Sequence, residues 1–241
     1  LVVLIFYQPF LVLEENLKSK KIKSFILTVD GKSASGKSTA AHLLGKYFHI
    51  PVLQSGLIYR WAAKKLLENR PKDKISYLRK YLTKLNYNSL KKINLHTPEI
   101  SKYSAVIARY LAVRKVVKKK QKSWVQNNKN HCVVEGRDSH LIFPNAFTKF
   151  YLKINLNTAA LRRFKELKKK QKKITLKEVK KDLKKRDYSD TTRKHSPLTL
   201  AKDHVVIRSD IYNKSQMIKK MSKIVKKRIR SKYGIGNRDY R

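Results

Sequence analysis

Cysteine is nearly absent. Cys132 is the single one in 241 residues, which excludes a disulfide framework and any zinc site built from several thiolates. It fits a reducing, cytoplasmic setting. Acidic residues are also few, 16 against 59 lysines and arginines, for a formal charge of +43. So much like charge repels itself unless anions screen it, and it binds phosphate-rich polyanions weakly and in a salt-dependent way. The lysine runs, at 118–120, 168–170, 172–173 and 226–227, are spread over several segments. No zinc knuckle, aromatic RNA-binding signature or basic heptad region organises them. They read as solvated faces and as a field that steers anionic substrates. Long apolar runs are limited to residues 1–13, interrupted by Gln8 and Pro9 and well short of the ~20 residues that span a bilayer. No basic segment precedes that run and no small-residue cleavage site follows it, so it does not read as a secretory signal. Residues 1–21 are taken as an extension of unknown role on a monomeric protein with no membrane partner.

What is present suffices for a core, since 41% of the residues are hydrophobic, and the length suits one domain with insertions. The run Phe25-Ile-Leu-Thr-Val-Asp30 reads as a buried strand ending at a glycine. From Ser38 onward Ala40, Ala41, Leu43, Leu44, Tyr47 and Phe48 recur at helical spacing. Residues 51–53 predict a short strand and 58–67 a helix, whereas 73–95 is polar and ambiguous. Residues 97–124 read as largely helical, with Thr97 before Pro98 and Glu99 as a capped start. Further buried strands are predicted at 131–135, 149–154 and 203–207. Helices are predicted at 158–170, with Ala160, Leu161, Phe164 and Leu167 on one side, at 176–186, and at the amphipathic C-terminal stretch. Strands separated by helices predict an α/β fold with a parallel sheet covered on both faces.

Glycine is scarce, seven in all, so its placement is informative. Two glycines frame Gly31-Lys32-Ser33-Ala34-Ser35-Gly36-Lys37-Ser38, which fits the phosphate-binding loop G-x-x-x-x-G-K-[ST] without a mismatch. Glycines let backbone N–H groups turn inward around phosphate oxygens, Lys37 reaches the β- and γ-phosphates, and Ser38 ligates magnesium. The helix starting there adds its positive dipole end. Gly56 and Gly136 fall in Ser55-Gly-Leu-Ile-Tyr-Arg60 and Gly136-Arg137-Asp138, each following a predicted strand. Loops at the carboxyl ends of parallel strands line the ligand crevice, which directs Arg60 and Arg137 towards phosphate and Asp138 towards an amino or hydroxyl group. A last constellation runs from Arg186-Asp187 through Asp190 to Arg193, near Arg162 and Arg163. Arginines that close over a phosphoryl donor stabilise charge in transfer and exclude water.

Read in order, these motifs resemble the bacterial cytidylate kinases, nucleoside monophosphate kinases of the P-loop class. The resemblance also takes in Thr97-Pro-Glu-Ile-Ser101 leading to Val113-Arg114, Glu135 before Gly136, Phe143-Pro144, and Pro197-Leu198. It covers about residues 24–230 and implies the P-loop NTPase three-layer fold. A kinase domain at 22–232 would have its core at 22–70, 114–157 and 198–232, a monophosphate-binding insertion at 71–113 and a lid at 158–197, before a basic tail at 233–241. The implied reaction moves the γ-phosphoryl group of ATP to CMP or dCMP with Mg²⁺. By that resemblance Gly31, Lys32, Ser33, Ala34, Ser35, Gly36, Lys37, Ser38, Thr39 and Arg163 hold ATP, with Ser38 on the metal. Ser55, Arg60 and Arg137 grip the acceptor phosphate, Arg114 and Asp138 read cytosine, and Arg186, Asp190 and Arg193 hold sugar and phosphate. Lys37, Arg162 and Arg186 are the expected catalytic cations. The chain departs from the family pattern at Lys32, at Ser139-His140 in a loop one residue short, at Ser189, and at Ala105, which aligns with a cytosine-contacting serine while Ser104 lies one place earlier. Two other classes fit the composition: a nucleic-acid-binding protein with a residual P-loop, and a P-loop kinase with another small acceptor.

Overall fold

The computed structural model describes residues 22–169 and 173–234. The extension at 1–21, most of the tail at 233–241 and the lysines at 170 and 172 lie outside the described residues. Five strands, β1 (Phe25–Gly31), β2 (Val52–Gln54), β3 (His131–Glu135), β4 (Thr148–Lys153) and β5 (His204–Arg208), form one sheet in the order β2-β3-β1-β4-β5. Each neighbouring pair is parallel.

All seven residues of β1 are buried, as a strand covered on both faces requires. Its side chains alternate. Phe25, Leu27 and Val29 pack with Ala40, Leu44, Met217, Met221 and Val225, from α1 (Lys37–Phe48) and α9 (Lys214–Tyr233). Ile26 faces the other way, into a cluster with Ile58 and Trp61 of α2 (Ser55–Asn69) and Val117 of α5 (Leu111–Asn127). The ambiguous stretch at 73–95 folds onto that second layer as α3 (Lys74–Lys84) and a 3₁₀ turn (Tyr87–Lys92). Asp73 caps α3 by accepting from the N–H groups of Ile75 and Ser76, and Leu78 and Leu82, one turn apart, are buried. Helix α4 (Pro98–Ile107) opens at the expected Thr97 cap, with Pro98 in its first turn. The chain turns at 108–110, so the region read as largely helical is two helices, α4 packing on α2 and α5 on α3; a short helix α6 (Ser139–Ile142) follows β3.

Four readings need correction. Helix α2 begins at Ser55, which puts Ser55 and Gly56 on its first turn rather than in a loop before it. Among the described residues the strand at 204–208 is an edge strand flanked only by β4, and of its apolar residues Ile207 alone is buried. In α7 (Leu156–Lys168) the contact with α8 (Leu176–Thr192) runs through Ala159 and Ala160 against Val179 and Leu183, leaving Leu161 46% exposed. Helix α8 continues past the expected end at 186 to Thr192, which makes the Arg186 to Asp190 segment helical. Among the described residues no helix is long and apolar enough to cross a membrane.

Candidate active site

The strand order reverses around β1, so the carboxyl ends of β1 and β3 flank the crevice where open α/β sheets bind ligands. From β1 the chain turns through Gly31 at φ 150°, Ala34 at 55° and Gly36 at 82°. A Cβ on Gly31 would stand 2.5 Å from the carbonyl oxygen of Leu152, so only glycine fits. Gly36 precedes α1 without any side-chain cap, which leaves the first-turn amides to an anion. Lys37 is 8% exposed and its Nζ donates to the carbonyl of Lys32 at 2.6 Å. Burial and the Arg137 guanidinium lower its pKa to about 7. The side chain of Lys32 itself is exposed, and Thr39 is half-buried on the first turn of α1.

From β3 the chain passes through Gly136, where a Cβ would lie 2.5 Å from Ser139 Oγ and 3.4 Å from Ser55 Oγ. Arg137 then bridges two elements. Its Nη1 and Nη2 donate to Gly31 O and Ser33 Oγ, both at 3.0 Å, and its Nε lies 2.8 Å from Asp190 Oδ2 on α8. The Asp138 carboxylate is held by Arg114, with Arg193 Nη2 at 3.9 Å. Arg114 also donates to Ala108 O at 3.0 Å and stacks 5.7 Å from the ring of Tyr59, whose phenol is pushed up by burial. Arg193 completes the cluster by donating to Asp190 Oδ1 at 3.0 Å.

Arg186, Asp190 and Arg193 recur at helical spacing and so share one side of α8 and its C-terminal cap. Burial and the neighbouring Arg137 lower the pKa of Arg186 to about 10. Arg162 donates to Ser209 O at 2.6 Å and sits beside the nucleotide loop, its Nη1 4.0 Å from where a Cβ on Gly36 would stand. Arg163 pairs with Glu166 at 2.8 Å on a more exposed face, and Arg60 is drawn to His96 at 3.2 Å. Both remain within electrostatic reach of the cluster, since the pKa of Arg60 is lowered by burial first and then by the Arg163 and Arg137 charges. Ser104 is buried and spends its hydroxyl on Ser101 O at 2.9 Å, while Ala105 offers none.

Several buried polar atoms of this group lack a hydrogen-bond partner among the described residues: Ser35 Oγ, Ser55 Oγ, Arg60 Nε, Arg114 Nε and Arg193 Nη2. Donors left unmet cost free energy that an incoming anion recovers. Two residues with no assigned role in the sequence reading join them. Glu135, at the end of β3, accepts from Ser38 Oγ at 3.2 Å, and burial raises its carboxyl pKa. Asp187 accepts from the Ser33 N–H at 2.9 Å. The signals were an acid closing an apolar strand beside the nucleotide strand, and an acid adjoining a lid arginine. Ser38 and Glu135 supply hard oxygen donors of the kind Mg²⁺ takes, so the residues present fit that ion.

A glycine cradle, a buried lysine and converging guanidinium groups at the switch point of a parallel sheet define a P-loop enzyme of phosphoryl transfer. The comparisons with known proteins agree. The family described as "Cytidylate kinase" matches residues 27–227. A cytidylate kinase of Bartonella tribocorum is 34% identical over 79% of this chain and 89% of its own length. One of Mycoplasmoides gallisepticum is 30% identical over 89% and 99%, and one of Fusobacterium nucleatum 32% identical over 85% and 98%. The chain belongs to the cytidylate kinase family.

Proposed function

We infer that the chain is an ATP-dependent nucleoside monophosphate kinase that transfers the γ-phosphoryl group of ATP to CMP or dCMP, giving CDP or dCDP and ADP. Family membership supports the reaction. The observation that carries the assignment of residues is Arg137, which touches the nucleotide loop through Gly31 and Ser33 and the lid through Asp190.

In this reading residues 31–39 cradle the donor phosphates. Lys37 leaves the Lys32 carbonyl for the β- and γ-oxygens, and Arg162 and Arg186 neutralise charge as it moves towards the leaving ADP. Arg163 flanks the donor. Ser55, Arg60 and Arg137 hold the acceptor phosphate, whose oxygen attacks in line. Arg114 and Asp138 read the base, while Asp190 and Arg193 hold the sugar and close the lid over it. Mg²⁺ would be held by the Ser38 hydroxyl and the Glu135 carboxylate, and would supply charge neutralisation on the donor phosphates. No covalent intermediate is required, because positioning and electrostatics carry this chemistry. The division into an acceptor-binding insertion at 71–113 and a lid at 158–197 belongs to the same proposal.

The test is ADP release from ATP with CMP, dCMP, UMP and AMP as acceptors. Turnover on the two cytidylates above the other nucleotides is expected. Folded protein that turns over neither would defeat the reading.

A further inference from the structure

We propose that His140 is a positioning residue for this reaction: it ties the root of the nucleotide loop to the chain returning from the lid, and so sets how α8 sits over the acceptor loop. The inference rests on the functional reading above.

Asp30, fully buried, directly precedes Gly31. Its Oδ1 accepts the Ser139 N–H and its Oδ2 the His140 N–H, both at 2.9 Å. Oδ2 also lies 3.0 Å from His140 Nδ1. A carboxylate only accepts, so Nδ1 carries the proton and Nε2 presents a lone pair. That lone pair faces the Thr199 hydroxyl at 3.2 Å. The imidazole is 4% exposed, whereas Thr199 is exposed. The adjoining Leu198 donates its N–H to the carbonyl of Asp190 at 2.8 Å. A path thus runs from the nucleotide loop through Asp30, His140, Thr199 and Leu198 to the main chain of Asp190, the residue whose carboxylate pairs with Arg137 and Arg193.

Two other uses of this cluster fit less well. Asp30, His140 and His204 bring ligand-type atoms within 4.8 Å of one another. Yet Asp30 already meets three N–H groups, and His204 Nδ1 accepts the Ala201 N–H at 2.8 Å, so a neutral His204 keeps its proton on Nε2. These lone pairs are committed to hydrogen bonds rather than to a metal. Protonating His140 does not break the path either, because a threonine hydroxyl can turn to accept from Nε2–H.

The path should matter for the acceptor more than for the donor. The path joins α8 at Asp190, near its C-terminal end and beside the acceptor residue Arg193, whereas the donor loop meets α8 one turn earlier through Asp187 and Ser33. Thr199→Val removes the outer hydroxyl at an exposed position. It is expected to raise KM for CMP about three- to tenfold, the span of one neutral hydrogen bond, with KM for ATP within twofold of wild type. Hydrogen exchange across 187–200 should be faster in the ligand-free variant. His140→Asn keeps a donor for Asp30 and loses the Thr199 contact, so it should reproduce these effects, and combining it with Thr199→Val should add nothing. A purely structural histidine would lower Tm and leave both KM values unchanged. Wild-type exchange and KM values in Thr199→Val, or additive effects in the double variant, would overturn the proposal. If wild type fails to phosphorylate CMP while exchange still responds, the functional reading falls and the anchoring stands.

Discussion

The carboxylate of Asp187 accepts a hydrogen bond from the backbone N–H of Ser33 at 2.9 Å, so α8 grips the 31–38 loop by its main chain. Hydrogen bonds to charged groups are worth about 1.5–3 kcal/mol. Asp187→Ala is therefore expected to raise KM for ATP about tenfold or more. Asp187→Asn keeps an acceptor oxygen and should stay nearer to wild type. Steady-state kinetics at saturating CMP would measure both. A lower KM for ATP in the alanine variant would mean that the carboxylate competes with phosphate rather than supporting the loop.

Gly31 has a different constraint, which is space. Its φ of 150° disfavours side chains, and a Cβ there would meet the Leu152 carbonyl oxygen at 2.5 Å, a backbone atom fixed in the neighbouring strand. Strain and overpacking each cost about 1–3 kcal/mol. Gly31→Ala is expected to lower unfolding free energy by about 2–6 kcal/mol in urea titration. An alanine variant as stable as wild type would show that β1 and β4 can separate at this point without penalty.

Much of this was legible in the sequence because the chemistry is local there. The 31–38 loop carries its motif in consecutive residues, and β1 and β3 announce themselves as short apolar runs closed by glycine. What was hidden depends on contacts far apart in the chain. The 73–95 stretch looked polar because its helix buries only Leu78 and Leu82, and no local pattern reports that α5 waits to cover them. The strand at 204–208 looked buried because Val205, Val206 and Ile207 are apolar, and edge position is a property of topology rather than of composition. Arg137 lies just past the end of β3, where the sequence put it, but its partners lie 106 and 104 residues away, at Gly31 and Ser33. Asp187 carried no role in the sequence for the same reason: its partner Ser33 is 154 residues distant.

Asp138 stands between two nearly buried guanidiniums, its side chain 8% exposed against 6% for Arg114 and 5% for Arg193. Removing one member of a buried pair leaves an uncompensated charge, which costs about 3–5 kcal/mol. Asp138→Asn should accordingly destabilise the protein and raise KM for CMP more than KM for ATP. Arg114→Met combined with Asp138→Asn removes one of the stranded charges and should recover part of the stability while leaving acceptor binding poor. Urea titration of the single and double variants measures the first effect and acceptor kinetics the second. A double variant less stable than Asp138→Asn would show that packing by Arg114, rather than its charge, governs the site.

Lys37 links pH to both stability and nucleotide binding. Its pKa falls from 10.5 to about 7 on folding because burial and the Arg137 charge disfavour the ammonium. In the range between those values the unfolded chain binds more protons than the folded one, so this group makes stability rise with pH. Its favourable contribution is complete above 10.5 and is lost as pH falls through about 7. Lys37→Met removes the buried cation and should raise Tm at pH 7 and below, while lowering turnover about 10²–10³-fold through lost stabilisation of the transferring charge. Donor phosphates favour the ammonium, so ATP binding at pH 8.5 should take up close to one proton in wild type and markedly less in Lys37→Met. Calorimetry without added metal, in buffers of different ionisation enthalpy, reads that uptake directly. Equal uptake by the two proteins would place the proton elsewhere and remove Lys37 from the donor phosphates.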